Sequence, residues 1–258
     1  MKTIVLCEGT GDAAVIAFYL QNRCNWKIVS KSDKNNVKIR FYGTDKISLC
    51  KYKNESFYTK GDDIISLCKV NGRDNFIKIY KNLSDLYNLD YDINIDNLII
   101  VTDNDDGDLT AVLQWISCEL DSCGFNVGNL YNMTKNNYEL FTVIPIVIPE
   151  NDKGELESII MERIASFGVD ESLIVKESKD FIEMLKSNFH TNMYLKRRGD
   201  ISKAKLTVTM SVINPTVMFS KYVEVLIKSE YYKSSVADKY FGIIDDCSTR
   251  KIKTMHLI

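Results

Sequence analysis

Residues 98–102, Leu-Ile-Ile-Val-Thr, contain no charge, and the acidic stretch Asp-Asn-Asp-Asp-Gly-Asp of residues 103–108 follows them without a break. Five residues are too few for a buried helix. Consecutive apolar and β-branched side chains need cover on both sides, which marks a strand inside a parallel sheet. Residues 3–7 (Thr-Ile-Val-Leu-Cys) and 141–148 (Phe-Thr-Val-Ile-Pro-Ile-Val-Ile) have the same character, and residues 64–70 form another short strand. Helical spacing fills the gaps between these runs. Ile16 and Leu20 stack four apart, Phe76, Ile77, Tyr80 and Leu83 follow a helical period, and a helix is expected from 109 to about 123. Leu156, Ile159, Ile160, Ile164 and Phe167 form one more apolar stripe.

Strands alternating with helices predict an α/β fold: a Rossmann-like, doubly wound, mostly parallel sheet with helices on both faces. With 258 residues and 45% hydrophobic composition, the chain can bury the core of one large domain over residues 1–258. Three prolines argue against a proline-rich linker. Two regions depart from the alternation. Residues 28–62 read as a β-rich elaboration, with short β-prone pieces at 26–29 and 37–42 between polar clusters. Residues 200–258 read as a C-terminal strand–helix extension. There, Leu206, Val208, Met210 and Val212 alternate with polar residues as in a half-buried strand, and Phe219, Val223, Leu226 and Ile227 suggest a last amphipathic helix.

The balance of 33 basic and 35 acidic residues excludes a chain that is basic overall, though not a local basic groove. The start of the chain has no signal-peptide apolar region and no run reaches the length of a membrane span, so a cytoplasmic protein without a membrane partner is expected. Seven cysteines without a C-x-x-C pair suit reduced, buried thiols better than disulfides or zinc. Two distant histidines leave carboxylates and lysines to carry any chemistry.

Sites in an open parallel sheet form beyond the carboxyl ends of the strands. Acidic clusters fall at three such places: Glu8 and Asp12, then Asp103 and Asp105 (with Asp106 and Asp108 nearby), then Glu155 and Glu157. Gathered carboxylates repel one another unless protons or cations compensate. Oxygen-only donors suit Mg²⁺ or Mn²⁺, and one or two such ions serve phosphoryl displacement. Helix dipoles favour acidic residues at helix starts whatever the function, so each cluster alone is ambiguous. Their coincidence at separate strand ends raises the metal hypothesis.

Two other motifs compete for these residues. Gly9, Gly11 and Ala14 fit the G-x-G-x-x-A dinucleotide pattern, but Glu8 and Asp12 would face a pyrophosphate with like charge. Placing Gly107 at the sixth position of an EF-hand puts Thr102 first and Leu113 twelfth, where carboxylates are required. That reading fails.

Strand-Glu-Gly-x-x-Asp-helix (Glu8, Gly9, Asp12) followed by strand-Asp-x-Asp (Asp103, Asp105) resembles the TOPRIM domain of topoisomerases, primases, recombination proteins and OLD-family nucleases. Gly-Glu-Leu-Glu-Ser, residues 154–158, is similar to the Gly-x-Leu-Glu helix start of the OLD-like branch and maps onto Glu157. Residues 202–208 resemble its late lysine element, mapping best onto Lys203 with Lys205 as rival, and residues 70–76 (Val-Asn-Gly-Arg-Asp-Asn-Phe) also fit the branch. The resemblance implies a stand-alone, small TOPRIM protein of bacterial or phage type, acting in phage defence or phage-encoded, without its own ATPase.

By that resemblance, Glu8 acts as general base or metal ligand, Asp103 and Asp105 hold metal, and Asp12 and Glu157 complete a second ion's shell. Lys203 or Lys205 neutralises charge on the scissile phosphate. Lys196, Arg197 and Arg198 are candidates to grip a nucleic-acid backbone, against the simpler alternative of a solvated basic patch. The expected activity is Mg²⁺- or Mn²⁺-dependent cleavage of DNA or RNA, with an ATPase or other partner chain, or a homodimer, as companions. The alternatives are a non-catalytic TOPRIM-like metal- or partner-binding regulator and a nucleotide-cofactor protein.

Overall fold

The computed structural model describes residues 1–45, 47–50, 54–88, 93–105, 108–129, 132–135, 138–149, 154–188, 195, 198–213, 215 and 235–249. The chain opens with β1 (Lys2–Cys7), α1 (Thr10–Asn22), β2 (Lys27–Ile28), α2 (Lys34–Tyr42), β3 (Glu55–Lys60) and β4 (Asp63–Lys69). A 3₁₀ turn (Arg73–Asn75) leads into α3 (Phe76–Asn88), β5 (Asn97–Asp103) and α4 (Leu109–Ser122). Then come β6 (Asn126–Asn129), β7 (Asn132–Lys135), β8 (Tyr138–Ile148), α5 (Leu156–Ala165), α6 (Val169–Asn188), α7 (Arg198–Ile213) and α8 (Ser235–Thr249).

The described strands form one sheet in the order β2-β3-β4-β1-β5-β8-β7-β6. The central strands β4-β1-β5-β8 run parallel, in line with their apolar sequences. Both edges are antiparallel. Ile4, Val5, Leu6 and Cys7 of β1 are fully buried, as are Leu98, Ile99 and Ile100 of β5. Burying each large aliphatic side chain stabilises the fold by about 1.5–3 kcal/mol.

Helices cover both faces, so the α/β architecture stands. Phe41 of α2, Phe76 and Tyr80 of α3, and Val112 and Ile116 of α4 pack on one face. Ile16 and Leu20 of α1, Ile160 of α5, Met210 of α7 and Phe241 of α8 pack on the other. Hydrogen bonds fasten α8 to the body: Asn97 Nδ2 donates to the Cys247 carbonyl at 2.7 Å, and Trp26 Nε1 and Lys60 Nζ donate to Asp245 Oδ1 at 2.7 and 2.9 Å. Among the described residues no helix is long and apolar enough to cross a membrane.

Two sequence expectations are corrected. Residues 37–42 form the body of α2 rather than a strand. Val37 and Phe41 are four apart and both buried, so the β-prone residues make a helical stripe onto the sheet. The alternating residues 205–213 belong to α7. Leu206 and Met210 satisfy both a two-residue and a helical period, and the deciding positions are Thr209, fully buried, and Val212, 58% exposed. The hydroxyls that suggested a polar strand face bond back one turn, Thr207 to the Lys203 carbonyl, Thr209 to Lys205 and Ser211 to Thr207. The helix expected around Phe219, Val223, Leu226 and Ile227 lies outside the described residues.

Candidate active site

β1, β4, β5 and β8 end on the same edge of the sheet, because they are parallel neighbours. Glu8 follows β1 directly. One residue past the last β1–β5 pair, Cys7 opposite Val101, Thr102 is buried and donates from Oγ1 to Glu8 Oε2 at 3.1 Å. Burial raises the Glu8 carboxyl above its ordinary value and the charges of Asp105 and Asp12 add to the rise, opposed by hydrogen bonds from Thr102 and the Asp103 backbone.

Asp12 sits in the first turn of α1 and accepts the Gly9 N–H through Oδ2 at 2.7 Å. This is half of a capping box. It also occupies the amide that a dinucleotide pyrophosphate would take, which removes the main attraction of the glycine pattern. Burial raises the Asp12 carboxyl, against the Gly9 bond and the positive charge of Lys203.

Asp103 ends β5 and is the electrostatic centre of the group. Its carboxyl is pushed up to about 9, first by burial and then by the charges of Asp12, Glu8, Glu157 and Glu155. After it, each residue of the acidic stretch has a different role. Asn104 forms an isolated antiparallel bridge with Gly154, whose N–H donates to the Asn104 carbonyl at 3.1 Å, while the Asn104 N–H reaches the Ile148 carbonyl at 2.8 Å. Asp105 lies 3.9 Å from Arg73 Nη1. Asp106 lies outside the described residues. Asp108 caps α4, accepting the Ala111 N–H at 3.1 Å.

The bridge at Asn104 ties the start of α5 to the end of β5. Glu155 is the buried N-cap residue of α5, and Glu157 lies in its first turn. Burial raises the Glu157 carboxyl, with Asp12 and Glu155 adding to the rise; its own backbone N–H and the charge of Lys203 oppose it. The donors are hard carboxylate oxygens, a chemistry that fits Mg²⁺ or Mn²⁺, and a cation would relieve the repulsion that holds a proton on Asp103. Among the described residues no three of these side chains are gathered as a finished ligand set.

Residues 2–236 match the family model described as "Protein of unknown function (DUF3226)". The chain belongs to this family. Its structure is similar to the crystal structure of hypothetical protein PH0156 from Pyrococcus horikoshii OT3, with a TM-score of 0.52 and 15% identity over 96% of this chain and 99% of that one. At that identity the likeness speaks for a shared α/β fold. No curated protein matches the sequence.

In this DUF3226 protein, Glu8 and Asp12 from the β1–α1 turn and Glu157 from the start of α5 come within electrostatic reach of Asp103 at the end of β5. Asp105 joins at the edge, with its side chain 43% exposed. The two candidate lysines separate. Lys203 directs its charge at Asp12 and Glu157, whereas Lys205 Nζ donates to Glu183 Oε1 of α6 at 2.6 Å. Lys196, Arg197 and the Arg198 side chain lie outside the described residues. Sequence reasoning passed over Thr102, since a threonine in a strand carries no signal. It also gave no role to Arg73, whose place immediately after a strand end was the available clue.

Proposed function

We propose that the chain is a TOPRIM-like, divalent-metal-dependent nuclease that hydrolyses phosphodiester bonds of DNA or RNA. The observation that carries this reading is Asp103: a carboxyl pushed to about 9 by burial and four neighbouring carboxylates, at the end of a central parallel strand. Such a concentration of negative charge at the ligand-binding edge of an α/β sheet is costly without a function. Glu8, Asp12, Asp103 and Glu157, with Asp105 at the rim, would hold Mg²⁺ or Mn²⁺. When bound, the ion supplies Lewis-acid stabilisation and a more acidic water.

The chain's own residues would do the rest. Glu8, made more basic by burial and held by Thr102, is suited to accept a proton from an attacking water. Lys203, on the α1 and α5 side of the carboxylates, would offset charge developing on the scissile phosphate.

The test is incubation of purified protein with supercoiled plasmid and with structured RNA, with Mg²⁺, Mn²⁺ or chelator. Metal-dependent cleavage lost at least ~10²-fold in Glu8→Gln and Asp103→Asn supports the reading. Cleavage unaffected by both substitutions overturns it. A second reading uses the same acidic group without chemistry, as a non-catalytic regulator that binds metal or a partner chain. It predicts a metal-raised melting temperature and no cleavage under any condition.

A further inference from the structure

The Val-Asn-Gly-Arg turn after β4 has no part in the chemistry above, yet it is built into the same edge of the sheet. Val70 N–H donates to the Cys7 carbonyl at 2.9 Å and Gly72 N–H to the Glu8 carbonyl at 3.0 Å. The turn therefore moves with Glu8. Asn71 and Gly72 both have positive φ, 62° and 105°, an arrangement that costs backbone energy and fixes where Arg73 leaves the chain.

The Arg73 guanidinium lies 4.2 Å from the centroid of the Trp115 ring, and that ring stands edge-on to Phe76 at 5.7 Å. The contact holds the guanidinium against the ring, where a planar cation keeps its N–H donors for other partners. The nearest carboxylate, Asp105, is 3.9 Å from Nη1, too long for a hydrogen bond, and the Arg73 side chain is 27% exposed. Its charge also reaches Glu119, one turn along α4 from Trp115. The Arg73–Asp105 pair is long and part-exposed, worth at most about 1 kcal/mol. A planar fork held on an aromatic face beside an acidic site is instead suited to a phosphate, which it binds through two parallel hydrogen bonds.

We propose that Arg73 is a substrate-binding residue that grips a backbone phosphate adjacent to the scissile one. This inference rests on the nuclease reading and sharpens it. Lys203 approaches the carboxylates from the α1 and α5 side of the sheet, and Arg73 from the α3 and α4 side. Cations on both flanks match successive phosphates of a polynucleotide strand rather than one mononucleotide. Its partner is a single-stranded segment that crosses the acidic row from one flank to the other.

The experiment is fluorescence anisotropy of labelled single-stranded DNA and RNA oligonucleotides with Ca²⁺ in place of Mg²⁺, over a range of salt concentrations, on wild type, Arg73→Met and Arg73→Lys. Arg73→Met is expected to weaken binding ~10-fold and to reduce the salt slope by about one phosphate contact. Arg73→Lys, which keeps the charge and loses the fork, is expected to bind more weakly than wild type with the wild-type slope. Melting curves of the same variants show which are folded, and Arg73→Gln, with the same expected loss of affinity and slope, takes the place of Arg73→Met if that variant is not. Unchanged affinity and slope in the variants overturn the inference and leave the nuclease reading intact, as does weaker binding of both variants with an unchanged slope, the mark of a merely structural arginine. No binding by wild type to either oligonucleotide overturns the inference, and it overturns the nuclease reading as well only if plasmid and structured RNA are also left uncut.

Discussion

Thr102 Oγ1 donates to Glu8 Oε2 at 3.1 Å, joining the ends of two neighbouring parallel strands. The bond favours the ionised form of Glu8 and fixes its direction, against a burial that favours the neutral acid. Thr102→Val keeps the volume and removes the donor. The Glu8 carboxyl then rises further, so the acidic limb of the cleavage pH profile should move to higher pH. Activity on that limb should fall, while activity well above it should be spared. Thr102→Ser should restore both. A Val variant with the wild-type profile would show that Glu8 does not set that limb.

Asp103 gives a stability prediction with a definite sign. Its carboxyl titrates at about 9 in the folded protein, far above the ordinary aspartate range of the unfolded chain. Between those values the folded state keeps a proton that the unfolded state has lost, so stability falls as pH rises toward 9 and levels off above it. Glu8, Asp12 and Glu157 are raised too and act in the same direction. Thermal melts across this window should show a declining midpoint for wild type and a flatter, higher curve for Asp103→Asn. Millimolar Mg²⁺ should raise the wild-type midpoint at pH 8 and leave Asp103→Asn nearly unmoved. A flat wild-type profile would remove the case for mutual repulsion at this site.

The central strands are legible in the sequence because Ile4, Val5 and Leu6, and Leu98, Ile99 and Ile100, must be covered on both sides, and no other element of that length buries so many consecutive residues. Glu8 and Asp103 are legible for the same reason, since each directly follows such a run. α7 is not, because Leu206 and Met210 fit either period and only tertiary packing, through Thr209, breaks the tie. α6 is obscured by Leu173 and Phe181, 54% and 45% exposed, which blur any single apolar stripe. The resemblance over residues 202–208 fits Lys203 or Lys205, and the helix separates them. As a strand, positions 203 and 205 share a face; as a helix they diverge by about 200°.

That divergence makes the lysines separable by experiment. Lys203→Met should lower cleavage ~10²-fold by removing charge near the phosphate. It should also raise Asp12 and Glu157, whose carboxyls Lys203 now holds down. Lys205→Met breaks only the half-exposed pair with Glu183 and should cost at most about 1 kcal/mol, with activity unchanged. Paired kinetic and denaturation measurements check this, and an equal loss of cleavage in the two variants would overturn the separation of roles.

Gly154 carries the last prediction. A Cβ built on it would lie 2.8 Å from Pro149 Cδ and 2.9 Å from Cγ, closer than real Cβ contacts come, so Gly154→Ala must displace the loop. The proline ring cannot rotate away as a flexible side chain would. Relief has to come from the backbone, and that backbone holds the bridge between Asn104 and Gly154. Loosening it separates Glu155 and Glu157 from Asp103, whose high pKa depends partly on their charges. Gly154→Ala should therefore destabilise by about 1–3 kcal/mol. It should also lower the pH at which Asp103 titrates, and it should weaken metal-induced stabilisation more than its own loss of stability accounts for. NMR titration of the Asp103 carboxyl checks the coupling: an unchanged titration point in a destabilised variant would mean that the bridge supports the fold without positioning the acidic group.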